Sequence, residues 1–321
     1  MKKGLRKLAA IVLTAAMALS IGTPVFAAST MVNLTEDSEY QSHRRNLEIA
    51  RENQNTVKFN ELEYYQKLES MSVKELQQEG FSEDIINEIT SRDLEAEYMQ
   101  LMFERAKLPT ADLKRLGYSD EAISKLRTLD GDETISDIEA LALAASLLPY
   151  TAITDYYYDT SKNKTYFIVQ FGWEWDTSPL WLLHDCIGIG WNNEFAIDRT
   201  ISSNYNKHTR VYRIVSVEGD KVYGATERSS LSEVELNTIE DVFDLNGSSA
   251  GSTYFAQEGY GTIALSQTGL ANNAKLQFKY GHNKLGGEPS VALPWGIGFT
   301  FTGVSDIYSA PIAYRSTPAQ V

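Results

Sequence analysis

The sequence predicts an α+β protein: an N-terminal helical bundle with a helix–turn–helix repeat, followed by a C-terminal antiparallel β-sandwich. Residues 61–148 predict the bundle, because Glu, Lys, Leu and Ala dominate and apolar residues recur three and four positions apart. Residues 150–315 predict the sandwich, because short alternating runs are bounded by turn residues. The acidic surplus is larger before residue 150 than after it, which favours two domains.

Residues 1–27 are predicted to be a secretory signal peptide. Lys2, Lys3 and Arg6 supply a positive start, residues 8–21 are apolar, and Val25 and Ala27 are small residues at a cleavage site. The apolar run is shorter than the roughly 20 residues that span a bilayer, and no later segment is apolar enough to do so. We therefore expect a secreted protein with no transmembrane segment in the mature chain.

The composition divides the rest of the chain into four parts. They are a polar lead-in (28–60), a helical repeat domain (61–149), an antiparallel β-sandwich domain (150–315) and a tail (316–321). His43 lies in the lead-in, which we expect to be mobile or helical. The formal net charge of −14 makes nucleic acid and anionic membrane surfaces poor partners, because phosphate binding needs clustered Lys and Arg.

The helical part contains a repeat. Ser72–Ile89 aligns with Pro109–Leu126, and each copy reads helix, glycine, aromatic residue, serine, helix. In the second copy, Gly117 suits a left-handed helix end and Ser119 suits the N-cap of the next helix; Gly80 and Ser82 are their counterparts. Export and the acidic surface argue against a DNA-binding helix–turn–helix. Two copies are also fewer than the roughly three that a stable solenoid needs, so we favour a small packing or docking bundle.

Residues 128–139 resemble a calcium-binding loop of the EF-hand kind. The ligands would be Asp130, Asp132, Thr134 and Glu139. The first position is Thr128 rather than Asp, and the sixth is Glu133 rather than the glycine of the sharp turn. The alternative is an acidic turn at the start of a helix. Calcium is therefore the one cofactor that the sequence suggests.

The β-domain is centred on residues 167–191. Phe167, Phe171, Trp173 and Trp175 fall on one face of a strand over 164–175, and a second strand follows over 184–191. Further strands are predicted over 209–217, 221–227, 260–266, 274–281 and 295–303, with a hairpin turn at 218–220. Residues 231–242 are predicted to be a short helix or cap.

A hydrolase is the least favoured function. His184 and Cys186 share a strand face, but two-apart neighbours do not normally meet for proton transfer. A buried inert thiol is the alternative. A carboxylate pair such as Glu174 with Asp176 or Asp185 has no positive support. No catalytic residue is predicted, and histidine spacing does not indicate zinc.

Aromatic residues on a β-sandwich can stack against sugar rings. Trp173 and Trp175 are expected in the core, so the candidate ligand-binding residues are Trp181, Trp295, Tyr156 and Tyr157. The sequence thus favours non-catalytic extracellular binding, with cell-wall glycan or a surface protein as partner.

The alternative is a membrane-active protein of the β-pore-forming type. Residues 246–273 are rich in Ser, Thr and Gly and hold one charge, as an amphipathic membrane hairpin requires. An ordinary pair of strands with a loose loop explains the same residues. Liposome leakage separates this hypothesis from glycan binding.

The block LKRLGYSDEAISKLRTLDG (Leu113–Gly131), followed by the FGWEW and HDCIGIGW runs, resembles uncharacterised secreted proteins of Gram-positive bacteria. The resemblance covers about a third of the chain. It implies export and the two-part layout, a helical repeat plus a C-terminal β-domain. It implies no known activity and no site residues. The single cysteine, Cys186, fits such an export route, because no internal disulfide is possible.

Overall fold

The protein is described here by a computed structural model. The structure describes residues 30–53, 61–78, 81, 83–129, 145–180, 184–192, 195–218, 221–235, 237–249, 252–283, 289–292, 296–302 and 306–321. Within these ranges the α-helices precede residue 130, a 3₁₀ helix lies at Gly296–Gly298, and all strands except the first follow residue 146.

Seven α-helices occur in the described residues. They are α1 (Ser38–Glu52), α2 (Glu61–Ser70), α3 (Val73–Gln78), α4 (Glu83–Ser91), α5 (Leu94–Ala106), α6 (Thr110–Arg115) and α7 (Asp120–Leu126). The last six pack around one apolar cluster that includes Leu76, Tyr98 and Leu113. Arg105 joins this cluster to the β-rich body, because its guanidinium donates to the carbonyls of Ser178 and Pro179 at 2.8 and 3.1 Å.

The predicted repeat is present as two helix pairs, α3–α4 and α6–α7. Gly117 has the positive φ of +85° expected at a helix end, and the Ser119 side chain accepts from the Ala122 amide at 3.1 Å as an N-cap. Gly80 and Ser82 of the other copy lie outside the described residues. The aromatic residue before the cap, Tyr118, is buried in the helical cluster.

The described residues contain seventeen strands. They are β1 (Thr30–Asn33), β2 (Leu147–Asp159), β3 (Lys164–Trp175), β4 (His184–Trp191), β5 (Ala196–Ile197), β6 (Lys207–Glu218), β7 (Lys221–Ser230), β8 (Ser232–Glu235), β9 (Thr238–Asp244), β10 (Asn246–Ser249), β11 (Ser252–Thr268), β12 (Ala274–His282), β13 (Ser290–Ala292), β14 (Thr300–Thr302), β15 (Asp306–Ser309), β16 (Ala313–Arg315) and β17 (Ala319–Gln320).

These strands form two main sheets. The first has nine strands in the order β1-β7-β6-β11-β3-β2-β17, with β5 and β10 paired to β11. The second has six strands in the order β15-β12-β4-β9-β8, with β16 paired to β12. All pairings between named strands are antiparallel except β17 with β2. A separate pair, β13–β14, covers Cys186 on the outer side of the second sheet.

The two sheets pack face to face through aromatic rings. Phe171 lies 5.3 Å from Phe278, and Trp173 lies 5.6 Å from Phe243 and 5.0 Å from Tyr280, measured between ring centroids. Trp173 and Trp175 are fully buried. The large apolar face predicted for β3 therefore fills the space between the sheets, which is where aromatic burial contributes most to stability.

Helix α1 lies on the opposite face of the nine-stranded sheet. Leu47 and Ala50 pack there against Leu148 and Tyr150 of β2. Asp37 caps the helix by accepting from the Tyr40 amide at 3.0 Å. The first sheet is thus covered on one side by the second sheet and on the other by α1.

The predicted fold class, an α+β protein with an N-terminal helical bundle and a C-terminal antiparallel β-sandwich, is wrong. The protein is a sheet-rich fold in which strands predominate and the helices are mainly N-terminal. Thr30–Asn33 adds β1 to the large sheet, and α1 packs on that sheet instead of joining a bundle. β2 begins at Leu147, where Pro149 and a register shift after Ile153 hide the strand periodicity.

Two local predictions are also wrong. Residues 231–242, predicted as a helix or cap, lie in the β8–β9 hairpin, where Asn237 takes a positive φ of +70° at the turn. His43, placed in a lead-in expected to be mobile or helical, lies in helix α1 and is fully buried, so the mobile alternative is wrong. Long-range packing decides both places: β9 pairs with β4, and α1 packs on the first sheet.

Candidate functional site

Most of the predicted site residues lie outside the described residues. Trp181 and Trp295 do, and so do the proposed calcium ligands Asp130, Asp132, Thr134 and Glu139. Within the described part of the chain, no group of three or more His, Cys, Asp or Glu side chains could hold a metal ion. Glycan binding at the tryptophans and calcium binding at residues 128–139 therefore stay predictions.

The two predicted tyrosines do not form one binding platform. Tyr156 is buried between the sheets, where its hydroxyl donates to the Ala271 carbonyl at 2.6 Å and its ring meets Phe167 edge-on. Tyr157 is half-buried on the other face of β2 and stacks on Tyr166 at 4.9 Å. Adjacent strand residues point to opposite faces, so the two rings are separated by the sheet.

The residues considered for hydrolysis are also separated. Cys186 is buried among Val291, Phe299 and Phe301, and burial raises the pKa of its thiol well above the ordinary value. His184 is 57% exposed and pairs with Asp244 at 2.7 Å. A protonated thiol facing apolar rings is not a nucleophile.

A cluster of charged side chains lies between α1 and the nine-stranded sheet. We call it the α1 cluster: His43, Arg44, Arg51, Glu174 and Glu258. Glu174 of β3 and Glu258 of β11 are directly opposite each other in the strand register. Like charges in that position are destabilising. Arg44 offsets them by donating to both carboxylates, at 2.6 and 3.1 Å, and Arg51 pairs with Glu174.

His43 completes this cluster. Its Nδ1 lies 2.9 Å from the Tyr150 hydroxyl, and its Nε2 lies 3.3 Å from Oε2 of Glu258, without a well-aligned hydrogen bond. Burial lowers the pKa of His43 below its ordinary value, against the opposing effect of Glu258. Burial alone would raise the pKa of Glu258, but His43 and Arg44 lower it.

A second cluster lies between the two sheets. We call it the inter-sheet cluster: His208, Arg210, Glu227, Ser229 and Asp241. Asp241 of β9 accepts from His208, Arg210 and Ser229 at 2.7–2.8 Å. Arg210 also pairs with Glu227 at 2.9 Å. Burial lowers the pKa of His208, and contacts with His208 and Arg210 lower that of Asp241 despite its burial.

The ring of His208 has a defined protonation pattern. The Trp173 indole N–H, which is only a donor, lies 3.1 Å from Nε2 of His208, so this nitrogen accepts. The other nitrogen, Nδ1, then carries the hydrogen and donates to Asp241 at 2.8 Å. The geometry therefore holds a neutral imidazole. With both nitrogens occupied and the ring fully buried, His208 is not placed for catalysis.

The two clusters lie at the base of a segment that carries no charge. We call residues 245–257 the charge-free hairpin. It contains β10 and the start of β11, where Asn246 pairs with Phe255 and Ser249 with Ser252. Among the described residues, β10 pairs with β11 alone. Asp241 precedes the hairpin on β9 and Glu258 follows it on β11, so each arm ends in a carboxylate of one cluster.

Sequence reasoning missed both clusters. His43 and Glu258 are 215 positions apart in the chain, and His208 and Asp241 are 33 apart. No spacing motif connects such pairs. The clusters could have been found from polar residues within otherwise apolar strands, because a buried polar side chain requires a partner. These residues are Gln170 and Glu174 on β3 and Arg210 on β6.

No protein-family model matches the sequence, and no curated protein matches it. Among solved structures, this chain is similar to "Pore forming protein", at 10% identity and a TM-score of 0.26, covering 51% of this chain and 90% of that one. It is similar to "Clostridium perfringens delta-toxin", at 8% identity and a TM-score of 0.24, covering 58% and 86%. It is also similar to "AvmM Catalyzes Macrocyclization in Alchivemycin A Biosynthesis", at 7% identity and a TM-score of 0.23, covering 55% of this chain and 89% of that one. At these TM-scores the likeness carries no argument about function.

Within the described residues, none of the helices has the length and apolar character needed to cross a bilayer.

Proposed function

We propose that this is a secreted, membrane-active protein of the β-pore-forming type, whose charge-free hairpin enters a lipid bilayer together with the strands that carry it. The proposal rests on the absence of charge from the hairpin and on the pairing of its strands. Residues 245–257 hold no charged side chain, and β10 has no described partner except β11. A strand that crosses hydrocarbon requires a face free of charge.

The two arms of the hairpin are long enough to cross a bilayer. β9 has 7 residues and β10 has 4, with Leu245 between them, and β11 has 17. A transmembrane strand needs about 9–11 residues, whereas strands of globular proteins are most often about 5–6 long. Ile239, Asp241 and Phe243 share one face of β9, so Asp241 is the charged group that this otherwise apolar face would carry into the bilayer.

The folded protein stabilises the charged groups on these arms without a membrane. Asp241 and Glu258 have cationic partners in the two clusters, and Asp244 pairs with His184. Breaking a buried ion pair by removing one partner costs about 3–5 kcal/mol. The hairpin is therefore retained on the body until these pairs are exchanged for another environment. Export is supported by the predicted signal peptide at residues 1–27.

Release of a trapped dye from phospholipid vesicles tests the proposal. We expect the full-length mature protein to release dye, and Thr253→Arg in the charge-free hairpin to reduce the rate by about tenfold, because a charge must then enter hydrocarbon. Asn272→Arg is the matched control: Asn272 is exposed in a loop after β11, at the other end of that strand, and its variant should release dye at the native rate.

Two results would contradict the proposal. One is the absence of dye release from neutral and anionic vesicles at both pH 7.5 and pH 5. The other is an equal loss of dye release in the Thr253→Arg and Asn272→Arg variants. That result would show that an added charge lowers release wherever it is placed, and not only in the hairpin.

Non-catalytic binding of extracellular polysaccharide is the second candidate. It is favoured by the half-buried Tyr157 ring, which stacks on Tyr166 with the Lys162 ammonium 5.8 Å from the Tyr166 centroid. A partly exposed tyrosine ring can stack against a sugar ring. Co-sedimentation with insoluble cell wall, lost on Tyr157→Ala, would favour this function over membrane insertion.

A further inference from the structure

Every histidine of the chain is paired with a carboxylate. The pairs are His43–Glu258, His184–Asp244, His208–Asp241 and His282–Asp185. Three of the histidines are fully buried, and His184 is exposed. Two buried pairs, His43–Glu258 and His208–Asp241, include the carboxylates at the bases of the two hairpin arms. Histidine is the side chain whose charge changes most readily between pH 5 and 8.

Protonation of His208 is incompatible with its present contacts. Nε2 accepts from the Trp173 indole N–H at 3.1 Å, so a hydrogen added to this nitrogen would place two donors against each other. Trp173 lies between the sheets and cannot turn away without disturbing Phe243 and Tyr280. The charged form of His208 therefore favours separation of β6 and β9 from β3.

Protonation of His43 adds an unbalanced charge. The α1 cluster already contains two carboxylates, Glu174 and Glu258, and two guanidinium groups, Arg44 and Arg51. It is neutral when His43 is neutral. A further positive charge at this fully buried ring leaves the cluster with a net positive charge, because the nearest carboxylate, Glu258, is already balanced by Arg44. The excess charge favours movement of α1 away from the sheet.

Charged or titratable side chains from several helices and strands surround both rings. Around His43 they are Tyr40, Arg44 and Arg51 of α1, Tyr150 of β2, Glu174 of β3, and Glu258 and Tyr260 of β11. Around His208 they are Arg210 of β6, Glu227 of β7 and Asp241 of β9.

We propose that His43 and His208 form a two-point acid switch, in which their protonation releases the arms of the charge-free hairpin at mildly acidic pH. This inference rests on the proposed function and names how it is regulated. The two rings lie on opposite faces of one sheet, each beside one arm, and both restraints weaken as the pH falls.

The sign of the pH dependence follows from the two histidines. Burial lowers the pKa of each ring below the ordinary value of about 6.5. The opened state then binds more protons than the folded state, so stability is full above pH 6.5 and declines as the pH falls below it. The equilibrium constant for opening should rise by up to about tenfold per pH unit for each histidine. Asp241 and Glu258 lose charge only at lower pH, because their pKa values are lowered.

Hydrogen exchange without lipid tests the switch directly. We expect the amides of residues 238–262, corrected for intrinsic rate, to lose protection between pH 6.5 and 5. The double variant His43→Gln, His208→Gln should move this transition down by at least about one pH unit, because glutamine stays neutral and offers one donor and one acceptor. Asn272→Gln, which places glutamine at an exposed loop position after β11, should leave the transition unchanged.

Equal protection of residues 238–262 at pH 7.5 and pH 5 in the native protein would overturn the switch, and this result does not depend on any variant folding. An unshifted transition in a folded double variant would also overturn it. Dye release separates the two proposals: acid-induced exchange without dye release at any pH contradicts only the membrane function, and pH-independent release contradicts only the switch.

Discussion

The two faces of β3 are both buried, yet they are built from different chemistry. The inner face presents Phe167, Val169, Phe171, Trp173 and Trp175 to the second sheet. The outer face presents Gln170 and Glu174 to α1, with Gly172 between them. The apolar rings of the inner face need shape and apolar area, and the Trp173 and Trp175 indoles there also need hydrogen-bond acceptors. The outer face needs charge balance, since every carboxylate there depends on a partner from α1.

This difference shows how one strand can serve stability and regulation together. Apolar burial is insensitive to pH near neutrality, so the contacts between apolar rings of the two sheets should not change with pH. The contact with α1 depends on the protonation of His43 and on the Arg44 bridge between Glu174 and Glu258. On the inner face, the contact of Trp173 with His208 also depends on protonation, so acid should release α1 and loosen the sheets at His208 while the apolar contacts persist.

The largest effect should come from the inner face. Phe171→Ala removes a fully buried ring that lies 5.3 Å from Phe278, and should lower the free energy of unfolding by about 3–5 kcal/mol. Urea unfolding at pH 7.5 and pH 5 measures it. The loss should be similar at both pH values, and Phe171→Leu should lose less. A loss confined to acidic pH would show that the apolar packing of the inner face depends on pH.

An intermediate effect should come from the outer face. A Cβ at Gly172 would lie 2.7 Å from Cε1 of Tyr150 and 2.8 Å from Nδ1 of His43. Gly172→Ala should therefore displace α1 and lower the free energy of unfolding by about 1–3 kcal/mol, with loss of amide protection in residues 38–52. At Gly298 an added Cβ would meet nothing within 4 Å, so Gly298→Ala is the control. Unchanged protection of α1 in Gly172→Ala would contradict its close seating on β3.

The smallest effect should come from the helix cap. Asp37→Ala removes the acceptor for the Tyr40 amide and should lower the free energy of unfolding by about 1 kcal/mol. Ser119→Ala removes the matching cap of α7 at similar cost. Only the Asp37 variant should loosen α1 in hydrogen exchange. If both variants loosen it equally, α1 and the helical repeat form one cooperative unit and the comparison between the two faces of β3 needs revision.

Periodicity predicted the best-defined elements. The strands expected over 164–175 and 184–191 have these bounds in the structure, because strict alternation of large apolar residues forces one face inward. Gly117 and Ser119 take the predicted roles because caps depend on adjacent backbone groups. Local chemistry was sufficient in each case.

Prediction was wrong where a distant partner decides the structure. β1 is a strand because Thr30–Asn33 pairs with Tyr223–Thr226 of β7, nearly 200 residues later. Residues 232–244 form a hairpin because β9 pairs with β4 of the second sheet. Tyr156 and Tyr157 could not be joined into one platform, because the sheet divides them. Such pairings leave no local periodicity that would identify them.

The sequence by itself determined the helix–turn–helix repeat, the apolar face of β3 and the absence of charge from residues 245–257, and it predicts an export signal at residues 1–27. These depend on neighbouring residues or on composition. Only the tertiary structure decided that His43 meets Glu258 and that His208 lies between Trp173 and Asp241. Buried polar groups take whichever partners the fold brings to them, and these partners come from strands and a helix far apart in the chain.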